Sequence, residues 1–222
     1  MPATRTFQLR HVQLARAAFA AVAALMITFS ANHSAIVGLS VFSGFALVTA
    51  LIHMLAAWLV APAGWRWPYV LLAAISILTG MAGSIPAWRT TPLFFVVVIA
   101  WGALGGLVEL IAGLRARRQA RAGTAPAVVA DGARDAILVG ALGLALAVGL
   151  LCVPTTYALN YSIAEAGSFT LTGITLAVGI FGAYAAIVAV FLGIAGLSPR
   201  SRTNGSGIDT AGTAPAENEG SA

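Results

Sequence analysis

Charge is what this chain has least of. Charged residues make up 9% of its 222 positions, and lysine is absent, so that every basic residue other than histidine is an arginine. A soluble domain carries about a quarter charged residues, and a water-exposed globular surface cannot be built from so few. The single cysteine, Cys152, excludes an internal disulfide and any site made of several thiolates. No phosphate-cradling GxxxxGK[ST] loop, no metal-ligand spacing of His or Cys and no GxSxG turn occurs. With no soluble stretch to house such chemistry, neither catalysis nor a cofactor nor a metal is expected.

What the chain has instead is apolar surface: 59% of residues are hydrophobic and the mean hydropathy is +0.93. Backbone in lipid must satisfy its own polar groups, so this composition points to an all-α, polytopic membrane bundle. The net charge of +5 raises the question of a nucleic-acid partner. The arginines, however, lie in short segments between apolar runs, where they orient helices and form no soluble basic face. The lipid bilayer is the expected partner.

Residues 92–121 set the frame. From Pro92 to Leu114 only Glu109 is charged, and Arg115, Arg117, Arg118 and Arg121 follow at once. A helix of that length covers roughly 34 Å, enough for a hydrocarbon core of about 30 Å. Five more apolar runs occupy 12–31, 36–60, 69–85, 134–153 and 169–197. The chain then divides into a polar lead (1–11), a six-helix membrane domain (12–197) and a Ser-, Gly- and Thr-rich tail (198–222) expected to be disordered. A cleaved signal peptide competes for the first run, but the run is long for one and Phe29 stands near the candidate cleavage point. An uncleaved helix is the reading adopted.

Placing both termini in the cytoplasm puts eleven arginines inside and only Arg89 outside, a strong positive-inside asymmetry for a multi-pass plasma-membrane protein. Trp58, Trp65, Trp67 and Tyr69 are expected to form an interfacial belt. Residues 115–131 are expected to be a mobile loop, with Asp131 or Asp135 capping the next helix, and 157–168 a long turn.

A short internal repeat relates the even-numbered runs. Ile111-Ala112-Gly113-Leu114 recurs as Ile194-Ala195-Gly196-Leu197, and Leu55-Ala56-Ala57-Trp58 fits the same frame. Three repeated hairpins follow, and in that register His53, Glu109 and Leu192 are equivalent. Arg16 lies in the same third of the bilayer. Ionisable groups within a span are costly, and they normally face the bundle interior and pair. Arg16, His53 and Glu109 are therefore a candidate polar cluster, either titratable, as a histidine beside a carboxylate can be, or a static ion pair with His53 hydrogen-bonded across helices. Gly102, Gly106 and Gly113 share a stripe with Glu109 and invite close packing. On the sixth run, Gly179, Ala183, Ala186 and Gly193 form a similar candidate seam. At the opposite end His33, Arg89, Tyr157, Asn160, Tyr161 and Glu165 form a second polar group, with Arg89 and Glu165 as a candidate salt bridge.

Gly64-Trp65-Arg66-Trp67-Pro68 before a glycine-containing span, a turn opened by Pro86, and Gly105-Gly106-Leu107-Val108-Glu109-Leu110 running into Arg115, Arg117 and Arg118 together resemble the HdeD-like family. These are small bacterial six-helix inner-membrane proteins of repeated hairpins, named after an acid-resistance protein. The resemblance implies a non-catalytic membrane role linked to acid or other stress, and carries no catalytic residues with it. The chain is also similar to actinobacterial membrane proteins that go under the name acyl-CoA synthetase, an activity needing a nucleotide-binding soluble domain that these residues do not supply. A small proton- or solute-linked transporter or channel subunit is the alternative. A channel would need a homo-oligomer, because one copy has few polar residues to line a path. A lipid or acyl-group enzyme ranks third, for want of a nucleophile beside a base.

Overall fold

In the computed structural model, which describes residues 7–163 and 167–198, the six apolar runs fold as six long helices. They are α1 (Leu9–Thr28), α2 (Ala35–Leu59), α3 (Trp67–Ser84), α4 (Thr91–Arg121), α5 (Ala127–Leu151) and α6 (Gly173–Leu197). All six are long and apolar enough to cross a membrane. Polar residues set where several begin: the Ser34, Thr90 and Thr172 hydroxyls accept from the backbone N–H groups of Val37, Leu93 and Thr175. Pro92 then occupies the first turn of α4, where its missing N–H costs nothing. At the other end of α4, Gly123 takes a φ of +70° that lets the chain leave the helix, and Gly64 (φ +84°) does the same for the α2–α3 turn.

Each helix packs on its sequence neighbours, and α6 closes the ring against α1. The most extensive contacts join one hairpin to the next, α2 to α3, α4 to α5 and α6 to α1, in a threefold alternation that matches the three-hairpin repeat. Small residues make these seams. A methyl group built on Gly106 would lie 2.7 Å from the Gly140 carbonyl oxygen, and one on Gly102 would lie 2.9 Å from that of Gly143. Helices α4 and α5 thus touch backbone to backbone, as small residues permit in lipid. The α1–α6 seam uses Gly182 against Ile27 and Gly196 against Leu14. The expected seam of Gly179, Ala183, Ala186 and Gly193 is displaced: Gly179 has open space beside it, and Ala183 and Ala186 are exposed. The neighbouring stripe turns inward instead, packing Phe181 and Val188 into the bundle.

Bulky side chains on the outer surface are apolar, among them Phe19, Leu51, Leu78, Val96, Leu104, Val148 and Val190. Inside, Phe42 and Phe45 of α2 meet Trp101 of α4 and Phe181 of α6 edge to face, with ring centroids 5.5–5.9 Å apart.

Four further expectations need correction. The segment after Leu114 is helical to Arg121, because Arg, Gln and Ala are strong helix formers even outside lipid. Helix α5 starts at Ala127, with Asp131 and Asp135 inside it, so neither is a cap. Residues 157–168 are no simple turn: β1 (Ala158–Ile163) pairs antiparallel with β2 (Gly167–Thr172), Asn160 opposite Thr170, and α6 begins only at Gly173. Of the aromatic belt, Trp58 is exposed, whereas Trp65 and Tyr69 line an internal cavity.

Candidate functional site

The loops α2–α3 and α4–α5, the start of α1 and the end of α6 share one end of the bundle, which also carries Arg10, Arg66, Arg115, Arg117, Arg118 and Arg121. A cavity of about 100 Å³ opens there. At about 10–15 Å³ per water, it has room for several. Its walls are apolar, including Val12, Val60, Pro62, Leu72, Ala112 and Val139, and its polar members are few: Gln13, Arg16, His53, Tyr69, Glu109 and Asp135. The three positions made equivalent by the internal repeat, His53, Glu109 and Leu192, all line it.

Arg16 and Glu109 come from α1 and α4, which are far apart in sequence. An Arg16 guanidinium nitrogen donates to Glu109 Oε1 at 2.6 Å. Both are withdrawn from solvent, with 18% and 7% of their side chains exposed. A pair so placed repays its desolvation only through close geometry, and its purpose is more often positional than stabilising. His53 Nε2 lies 4.0 Å from the same Glu109 oxygen. The histidine is 2% exposed, and among the described residues neither ring nitrogen has a hydrogen-bond partner. Its ring leans on Tyr69, with centroids 6.3 Å apart.

Two further groups complete the polar lining. Gln13, one turn before Arg16 on α1, donates its side-chain amide to Asp135 of α5. Tyr184 of α6 is buried and lines a smaller cavity that adjoins the cluster. Gln13 was legible as a polar residue on the Arg16 face of α1, at i−3. Tyr184, in an otherwise apolar run, gave no such signal. At the cavity mouth, the Arg115 guanidinium sits 5.6 Å from the Trp65 ring, a cation–π contact between α4 and the α2–α3 turn. Arg134 is exposed and is not the partner of Glu109.

The second candidate group does not converge in this way. Arg89 is committed to the Ser40 hydroxyl and the Gly83 and Ser84 carbonyls. Asn160 accepts from Thr170 across the β-hairpin at 2.6 Å, and Tyr157 is exposed. Glu165 lies outside the described residues. Among those residues no group of three or more His, Cys, Asp or Glu is placed to hold a metal ion.

The chain matches no known protein family, no curated protein and no solved structure. Its fold and surface define a class: an integral membrane protein of six apolar helices.

Proposed function

We propose that this chain is a non-catalytic, HdeD-like protein of the bacterial inner membrane whose role is linked to acid stress. In this reading the Arg16–His53–Glu109 cluster takes up protons from the cytoplasmic side. The single observation that carries it is an unpartnered, buried histidine 4.0 Å from an arginine-paired carboxylate, at the floor of a cavity that opens to one face. A carboxyl group withdrawn from water is protonated more readily than an exposed one. Orientation rests on the arginines: with the cavity mouth in the cytoplasm, every arginine among the described residues except Arg89 lies on the side that the positive-inside rule favours. The apolar outer surface of the bundle fits lipid as the partner.

The test is survival after an acid challenge in cells producing the wild type, Glu109→Gln or His53→Ala at matched membrane levels. Survival that falls about tenfold or more in both variants supports the reading. Survival equal to wild type in both would sink it. The cavity favours a second reading, a small proton-linked transporter, because a carrier needs water to reach its ionisable groups.

A further inference from the structure

The polar cluster is not the end of the open space. A second cavity of about 20 Å³ shares Arg16, His53, Leu72, Glu109 and Val139 with the first and continues to Ser76, Trp101 and Tyr184. It has room for one water, at about 10–15 Å³ each. On α4, Ala116 lines the outer cavity and Trp101 the inner one, with Glu109 lining both. At 1.5 Å per residue the two cavities together span roughly 22 Å along the helix, out of a hydrocarbon core of about 30 Å.

Trp101 closes the inner end. Its indole N–H donates to the Ser76 hydroxyl at 3.0 Å, a buried bond between α4 and α3. Its ring is wedged edge to face against Phe42, Phe45 and Tyr184. Beyond it the bundle is filled by Phe42, Phe94 and Phe181, each fully buried.

Resting on the acid-linked reading above, we propose that the two cavities are the arginine-side half of a proton pathway, in which Trp101, latched by Ser76, is the gate. A hydronium in the outer cavity, beside His53, gives its proton to Glu109 Oε1 and leaves as water. The same group then returns the proton to a water in the inner cavity, so nothing is consumed. Every helix presents a polar or titratable group to this route: Arg16 from α1, His53 from α2, Tyr69 from α3, Glu109 from α4, Asp135 from α5 and Tyr184 from α6. The inner cavity admits one water, too little room for a hydrated cation or an organic solute, and the permeant assigned to it is a proton.

The experiment uses full-length protein in phospholipid vesicles holding a pH-sensitive dye, under an imposed potassium diffusion potential. Ser76→Ala removes the latch without adding bulk, and Trp101→Phe keeps an aromatic ring while removing the N–H. Each should pass protons about fivefold faster than wild type, what the loss of one ordinary hydrogen bond is worth in a two-state gate. Adding Glu109→Gln to either should return the flux to that of protein-free vesicles. The gate is overturned if both single variants, folded by circular dichroism, conduct no faster than wild type, or if the raised flux survives Glu109→Gln. It is also overturned if a sodium-sensitive dye reports equal acceleration. Loss of acid survival in Glu109→Gln cells with no acceleration in either latch variant would remove the gate while leaving the acid-linked role in place.

Discussion

Arg16 of α1 and Glu109 of α4 meet at 2.6 Å, roughly 10 Å inside the arginine-rich end of α1. This contact joins the first hairpin to the second across the interior, and it fixes Glu109 4.0 Å from His53. Arg16→Met leaves a withdrawn carboxylate without its counter-charge and should destabilise the protein by about 3–5 kcal/mol, whereas the double variant Arg16→Met/Glu109→Met should recover most of that loss. Unfolding of the four proteins of the cycle in detergent measures it. Losses that simply add would show that the pair is not coupled.

Backbone contact between α4 and α5 makes a second expectation. A Cβ at Gly106 would press on the Gly140 carbonyl at 2.7 Å, and neither backbone can yield cheaply. Gly106→Ala should therefore cost about 1–3 kcal/mol through overpacking. Gly179 on α6 has nothing within 4 Å, and Gly179→Ala should be neutral or stabilising by up to about 1 kcal/mol. Thermal melts of the two variants side by side check the contrast. Equal shifts would mean that the α4–α5 seam is not as close as described.

The bundle was legible because a run long enough to span lipid has only one way to satisfy its backbone. The level shared by His53 and Glu109 was legible too, through the fit of Leu55-Ala56-Ala57-Trp58 at the end of α2 to the four-residue repeat at the ends of α4 and α6. The β-hairpin was missed although its signal was present: Leu159 and Tyr161 alternate with Asn160 and Ser162, and Phe169 and Leu171 alternate with Ser168 and Thr170, a period of two. Being short and flanked by spans, these strands read as a connection. The inward turn of Trp65 and Tyr69 could not be read at all, since a tryptophan at a helix end suits a lipid interface and a cavity wall equally well. The Trp101–Ser76 bond was likewise hidden, because it joins residues on two helices that no local pattern relates.

Sidedness follows from where single thiols fall. Cys152, exposed at the end of α5 opposite the arginines, should react with a membrane-impermeant maleimide only from outside the cell. In a Cys152→Ser background, Ala112→Cys, on the cavity wall, should react only from the cytoplasmic side. Ala185→Cys, fully buried in the core, should stay unmodified from both sides. Labelling of Ala112→Cys from outside would reverse the orientation, and no labelling from either side would mean that water does not enter the cavity.

The most direct test of proton uptake by the cluster is an infrared difference spectrum of the full-length protein in lipid, titrated from neutral to acid pH. A carbonyl band of a protonated carboxyl group should grow on acidification, vanish in Glu109→Gln and shift its midpoint in His53→Ala, since the two groups lie 4.0 Å apart. Spectra that are the same in wild type and Glu109→Gln down to the pH of unfolding would contradict proton uptake and leave the Arg16–Glu109 pair as a static join between two helices.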